Sequence, residues 1–220
     1  HSALSPQPSA LLMHGVHGRL LHIDLATGLS EAHPIPVAVF REVLGGNGLA
    51  SWLLLEWCPP GADALGPENP LIFATSPFVG TGITTASKVA VAAKSPQTGM
   101  IGDSLSSSYL ALALKRTGFD ALVITGRARD MSLLVVDDDR VEIRPARHLL
   151  GLDPVMTAEA VRLETSAGFR VAAIGVAGER LVSYAAIAND GRLAGRTGTG
   201  AVMGSKNLKA IAVSGSHLPQ

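Results

Sequence analysis

Two loops of small residues hold the side chains with the most chemical reach. The first runs through residues 80–88, resumes at Lys94-Ser-Pro-Gln-Thr-Gly99, and continues in the serines of residues 104–108. The second is Gly191-Arg-Leu-Ala-Gly-Arg-Thr-Gly-Thr-Gly200. Glycines let backbone amides approach a ligand closely. A helix starting just beyond such a loop presents unpaired N–H groups to an anion. Arg192 and Arg196 add forked donors that suit phosphate, and Lys88 and Lys94 add point charges. These residue types together point to an anionic, phosphorylated ligand. Glycine-rich loops also occur as tight connections in packed domains, so the chemistry alone leaves both readings open.

Other constellations are weaker. His14 and His17 have metal-like spacing but lie in what reads as a ragged start with no third ligand nearby. Asp137, Asp138 and Asp139 lack the further oxygen ligands of a calcium loop and read as a hairpin turn. Cys58 is followed by two prolines and reads as a packed thiol. Gly198-Thr-Gly200 with Gly204 does not satisfy a dinucleotide fingerprint, because no acidic residue follows at roughly 20 positions. There is no Gly-x-Ser-x-Gly elbow.

Those loops must be positioned by a domain of limited surface polarity. The chain has 220 residues, of which 47% are apolar and only 16% charged, against roughly 25% charged in an ordinary domain. Such a sequence has either a large core or a face that packs against something else, so the isolated chain is expected to self-associate. A formal net charge of zero gives no argument for nucleic acid or a membrane surface. No apolar run approaches the roughly 18 residues of a membrane span. A single cysteine rules out an internal disulfide and a cysteine-held metal cluster within this chain, and fits a reducing, cytoplasmic setting.

The pattern predicts a strand over residues 18–25, a Thr27-Gly28 turn and a partner strand over residues 29–35. A helical stretch over residues 37–57 is broken at Gly45-Gly46-Asn47-Gly48 and stopped by Cys58-Pro-Pro-Gly61. Strands are expected over residues 71–75, 89–93 and 121–125, with a helix over residues 104–117. A hairpin is expected across Asp137–Asp139, and a helix over residues 153–166 capped by Asp153 with Pro154 at its first position. Strands over residues 170–174, 181–187 and 210–213 complete the reading, with a turn at Asn189-Asp-Gly191. Leu114-Lys115 before Ala121-Leu-Val-Ile-Thr-Gly126 echoes Leu208-Lys209 before Ala210-Ile-Ala-Val-Ser-Gly215, which suggests an internal duplication. The fold class is α+β, with mixed, largely antiparallel sheets. Residues 1–14 read as a disordered lead-in or tag remnant, and residues 15–217 as one domain.

Several runs resemble a known family. Gly18-Arg-Leu-Leu-His-Ile-Asp-Leu25, Leu44-Gly-Gly-Asn-Gly-Leu-Ala50 and Leu65-Gly-Pro-Glu-Asn-Pro-Leu-Ile-Phe-Ala-Thr75 are similar to the opening of aldehyde ferredoxin oxidoreductases. So, in order, are Ala93-Lys-Ser-Pro-Gln-Thr-Gly99, the run from Gly118 to Ala128, and Gly200-Ala-Val-Met-Gly-Ser-Lys-Asn-Leu-Lys-Ala-Ile-Ala-Val213. The resemblance covers about residues 15 to 215. It implies the pterin-floor domain or subunit of an oxidoreductase that converts aldehydes to carboxylates and passes electrons to ferredoxin. The implied cofactor is tungsten or molybdenum held by two pterins, with a bridging magnesium. A 4Fe-4S cluster is implied only in further carboxy-terminal domains or a separate large subunit, so this chain alone is not expected to turn over.

The resemblance also implies site residues. Lys88 stands where the family has an arginine between pterin and cluster. Leu105, Ser106 and Ser107 stand in the stretch whose asparagine and glycines meet magnesium and pterin. Arg192, the backbone of Leu193 and Gly195 match the family's second loop, and Arg196 adds a further donor. No residue of this chain is assigned as catalytic or as a direct metal ligand. Leu105 and Ser107 depart from the family pattern and support an alternative: a non-catalytic scaffold or assembly module that has lost pterin binding.

Overall fold

A computed structural model describes residues 13–217. The chain builds two six-stranded sheets. The first contains β1 (Arg19–Asp24), β2 (Ser30–Pro34), β3 (Leu71–Thr75), β4 (Lys88–Lys94), β5 (Ile101–Ser107) and β6 (Ala121–Thr125). The second contains β7 (Ser132–Asp137), β8 (Arg140–Pro145), β9 (Arg170–Ala173), β10 (Ile187–Asn189), β11 (Arg192–Ala194) and β12 (Leu208–Ser214). The helices are α1 (Val37–Val43), α2 (Asn47–Trp57), α3 (Tyr109–Arg116), α4 (Pro154–Glu164), α5 (Val176–Glu179) and α6 (Thr199–Ser205).

The strand orders are β2-β1-β6-β3-β4-β5 and β8-β7-β12-β9-β10-β11. Raising each label of the first order by six gives the second. Each sheet has one parallel pair, β1 with β6 and β7 with β12, and is otherwise antiparallel. The echo in the sequence therefore marks a duplication of a whole sheet with its helices. Its register differs from the dipeptide match: Asp120, not Lys115, stands immediately before β6 where Lys209 stands immediately before Ala210.

The layers explain the composition. Residues of α3 and α6 share one core cluster with inward residues of both sheets, among them Phe73, Val91, Leu110, Leu122, Ile187, Met203 and Ile211. These two helices lie between the sheets. The outer face of the first sheet is covered by α1 and α2 through Phe40, Leu49 and Leu53, and that of the second by α4 through Val161. All residues of α6 are buried, so it needs no polar face. A chain that buries both sides of the central strands of two sheets has little use for charge there. Close approach follows from the same crowding: a Cβ at Gly204 would lie 2.0 Å from the carbonyl oxygen of Gly178.

Local signals behave as their chemistry requires. The Asp153 carboxylate accepts N–H bonds from Val155 and Met156, with Pro154 opening α4. Asp138 takes a positive φ in the β7–β8 turn. The loop before β1 is tied down. Asp120 accepts backbone N–H bonds from His17 and Gly18, and His17 Nε2 bonds the Lys115 carbonyl. The expectation of a ragged start at His17 is corrected by that latch. Met13 packs against the outer cluster of the first sheet, while residues 1–12 of the expected lead-in lie outside the described residues.

Two further expectations are corrected. The helix expected over residues 104–117 begins only at Tyr109, because Ser104–Ser107 pair with Lys88–Val91 as the end of β5. The strand expected over residues 181–187 is a turn that enters strand only at Ile187.

Three buried lysines brace the duplicated halves. Lys115 pairs with Asp120 and Lys209 with Glu179. Lys206 has no carboxylate within reach among the described residues and donates to the carbonyls of Pro67 and Gly126, both at 3.1 Å. Burial, reinforced by the Arg127 guanidinium, lowers its pKa to about 7 from 10.5. The unfolded chain holds this proton up to about pH 10.5, the folded chain only to about 7. Between those values the unfolded state binds more protons, so stability from this group rises with pH. Below pH 7 the full cost of the buried cation is present. Urea titrations should show Lys206→Met losing an alkaline gain of about 2 kcal/mol between pH 7 and 9. An unchanged pH slope would contradict the burial of a titrating lysine here.

Candidate functional site

The two sheets meet along their equivalent edges, β5 and β11. β5 pairs with β4 along its whole length, from Lys88 opposite Ser107 to Lys94 opposite Ile101. β11 is joined to β10 by Asp190-Gly191, both at positive φ, the two-residue hairpin that an Asp-Gly sequence favours. Four hydrogen bonds among the described residues stitch the seam. Ser106 Oγ donates to Asn189 Oδ1 at 3.0 Å, the Arg196 N–H donates to Ser104 Oγ at 3.2 Å, Ser95 Oγ donates to the Thr197 carbonyl at 2.8 Å, and Thr197 Oγ1 donates to the Asp103 carbonyl at 3.5 Å.

Alternation along β5 turns Gly102, Ser104 and Ser106 inward and leaves Ile101, Leu105 and Ser107 exposed. Ser106 is 2% exposed, and its hydroxyl is taken up in the seam by Asn189. Leu105 is half exposed and forms part of the surface.

Two clefts flank the seam. A cleft of about 580 Å³ is lined by Thr85, Ser87, Lys88, Ser107, Ser108, Tyr109, Asp190 and Arg192. A second, of about 470 Å³, is lined by Asn47, Asp103, Ser104, Leu105, Leu193, Gly195 and Arg196. The expected site residues therefore divide: Lys88, Ser107 and Arg192 share the first cleft, and Leu105, Leu193, Gly195 and Arg196 the second.

The first cleft holds two cations, Lys88 and Arg192, and one carboxylate, Asp190. Among the described residues neither Lys88 nor Arg192 has a carboxylate within 4.0 Å. Asp190 is instead held by Arg162 at 3.4 Å and Arg170 at 4.0 Å, and the Arg170 guanidinium lies 5.0 Å from the Tyr109 ring centre. The N-terminus of α3, capped by Ser108, opens onto the same cleft, where its dipole favours negative charge. In the second cleft the Asn47 side-chain amide donates to Asp103 at 2.8 Å, and its buried Oδ1 has no protein partner among the described residues.

Thr85, Ser87, Tyr109 and Asp190 in the first cleft, and Asn47 and Asp103 in the second, were missed as site residues from sequence. Asn47 carried a signal in Gly45-Gly46, which break the helical pattern just before α2 opens at Asn47. Tyr109 and Asp190 carried none, because both depend on how the sheets meet. Among the described residues no group of three His, Cys, Asp or Glu side chains could hold a metal ion, and no helix is long and apolar enough to cross a membrane.

Residues 20–215 match the family described as aldehyde ferredoxin oxidoreductase, N-terminal domain. The chain belongs to that family. It is 46% identical over 206 residues to the tungsten-containing aldehyde ferredoxin oxidoreductase of Thermococcus kodakarensis, and 44% identical to that of Pyrococcus furiosus, covering 93% of this chain in each case. It is 33% identical to the WOR-like subunit of an aliphatic sulfonate oxidoreductase from Pyrococcus furiosus. The active-site complex BamBC of benzoyl coenzyme A reductase, solved with 1,5-dienoyl-CoA, superposes with a TM-score of 0.90 at 36% identity. That match covers 94% of this chain and 32% of the solved one. The chain spans about a third of the length of the tungsten-containing relatives, 34% in each. In this chain the fold of that family is the pair of matching sheets, with two clefts flanking the seam between them.

Proposed function

We propose that this domain is the floor on which a tungsten or molybdenum bis-pterin cofactor sits in an oxidoreductase completed by further domains or a large subunit. The observation that carries the reading is the pair Lys88 and Arg192, two cations with no carboxylate within 4.0 Å among the described residues, sharing one hydroxyl-lined cleft on the seam. Their charge fits a phosphate-bearing group, and the half-exposed Leu105 and Leu193 offer apolar surface beside it.

Lys88 and Arg192 would neutralise phosphate oxygens, with Ser107 and Ser87 supplying hydroxyl donors. Arg196 would add a second positive end through the other cleft. Leu105 and Leu193 would shield the seated group from water. When bound, the metal and its pterins supply the redox chemistry that takes an aldehyde to a carboxylate. The Leu193 carbonyl would be an oxygen for magnesium to use, since the Leu105 side chain has none and magnesium prefers oxygen ligands. The 4Fe-4S cluster and the site for ferredoxin belong to the remaining polypeptide, and the whole enzyme works in a reducing, cytoplasmic setting.

The substrate is set elsewhere. Relatives named for aldehydes and for aliphatic sulfonates share this domain's sequence, and a complex solved with a dienoyl-CoA shares its shape. Leu105 and Ser107 also support the scaffold alternative, in which the same fold organises partners without cofactor.

A metal-free probe separates the two. A phosphorylated pterin titrated into the chain should bind in a salt-sensitive manner, and Lys88→Gln should weaken it by about tenfold, the loss of one charge-assisted contact. Binding indifferent to both salt and Lys88→Gln would favour the scaffold.

A further inference from the structure

Asp190 is the one carboxylate among the residues that line the first cleft, where it stands beside Lys88 and Arg192. It lies two positions before Arg192, in the turn of the β10–β11 hairpin. Its φ of 45° suits Asn as well as Asp, so the turn does not require a negative charge there. A free carboxylate at this place would pair with a neighbouring cation and weaken the pull of the cleft on an anion. This one is not free. Arg162 of α4 and Arg170 of β9 both reach Asp190 Oδ1, at 3.4 Å and 4.0 Å. Arg170 is itself seated against Tyr109, 5.0 Å from the ring centre. The other oxygen, Oδ2, is buried with no hydrogen-bond partner among the described residues. Only 12% of the Asp190 side chain is exposed, so the two guanidinium groups, and not water, compensate its charge. Glu159 borders the neighbouring groove with Arg162, yet among the described residues it makes no ion pair within 4.0 Å that would draw Arg162 away.

We propose that Arg162 and Arg170 are positioning residues that hold the Asp190 carboxylate off Lys88 and Arg192, so that both cations stay open to a phosphate group. The proposal deepens, and rests on, the reading of this cleft as the seat of a phosphate. Neither arginine is among the residues that line the cleft, so each acts through Asp190 and not on the ligand. Without them, the desolvated carboxylate would have Lys88 and Arg192 as its remaining cations in the cleft. Pairing with either would leave one cation where two now face the ligand.

The test is a mutant cycle in the 220-residue chain, read with the same phosphorylated pterin. Arg162→Gln with Arg170→Gln should weaken binding by about fivefold, the worth of one competing ion pair at a partly exposed site. Adding Asp190→Asn, which the turn accepts, should return most of that loss. In the parent, Asp190→Asn should change affinity by less than about twofold, because its charge is already compensated. A general loss of positive field would instead give Asp190→Asn the same factor in both backgrounds, and that result overturns the proposal. So does a triple variant that binds no tighter than the double. Arg162→Lys with Arg170→Lys keeps both charges and should bind like the parent. A loss as large as that from glutamine would assign the effect to packing on Tyr109 and overturn the proposal as well. Should the double glutamine variant fail to fold, the single variants run the same cycle with a smaller factor. A ligand-free crystal structure of the glutamine variant gives a second readout. It should show Asp190 within about 4 Å of Lys88 or Arg192, and a carboxylate still turned away from both overturns the proposal. If the parent does not bind the pterin, the cofactor-floor reading falls while that structure still tests the hold on Asp190.

Discussion

Arg192→Ala is expected to lower retention of the pterin cofactor by about 10- to 100-fold, the loss of charge-assisted bonds worth roughly 1.5–3 kcal/mol. Arg192 is exposed, has no carboxylate partner among the described residues, and stands in a three-residue edge strand. Its removal therefore costs the fold little, and the thermal midpoint should stay within about 2 °C. Arg192→Lys keeps the charge but loses the forked geometry and should fall between. Equilibrium dialysis of pterin phosphate, set beside a thermal melt, checks both halves. A variant that melts normally and still retains cofactor like the parent would remove Arg192 from the floor.

The second large effect is structural. Asp120→Ala should destabilise the domain by about 3–5 kcal/mol, the cost of stranding one partner of a buried ion pair. Lys115 and Asp120 are both fully buried. Burial pulls the Lys115 pKa down and the Asp120 charge opposes that pull. The same carboxylate also accepts the His17 and Gly18 N–H bonds that seat the chain before β1. Losing it leaves a buried cation and two amide donors without their acceptor. For a chain of this size the melting temperature should fall by about 10 °C or more. Adding Lys115→Met should recover part of the loss, since the uncompensated charge goes. A double variant no more stable than Asp120→Ala would mean that the lost amide bonds carry the whole effect.

The pair shows how far the sequence could be read. The likeness between Ala121–Gly126 and Ala210–Gly215 announced a duplication, and the two strand orders extend it to whole sheets. The charge immediately before Ala121 and before Ala210 is reversed, Asp120 in one half and Lys209 in the other, with their partners Lys115 and Glu179 reached from different elements. A dipeptide match that aligned Lys115 with Lys209 could not see this, because each buried charge is held by a partner supplied from another element. The strands with continuous apolar runs were legible because the central strands of both sheets are buried on both faces.

The stretch Ser104–Ser108 was misread for a physical reason. Each serine could cap a helix, and only the pairing of β5 with β4 decides that Ser108 does so. The same pairing fixes which side chains face out, so Ser106 went to the seam and Leu105 to the surface. The second loop was read better. Asp190-Gly191 carries its own turn chemistry, and Arg192 follows directly from it. What no local pattern could give is the meeting of β5 with β11, which brings Lys88 and Arg192 into one cleft across more than 100 residues of chain.

The most direct test of the cofactor-floor account is the tungsten, molybdenum and pterin-phosphate content of this chain, purified anaerobically together with the polypeptide that completes it. The account predicts metal and pterin in stoichiometric amounts, lost on Arg192→Ala while the complex itself survives. A complex that forms but holds neither metal nor pterin would contradict it.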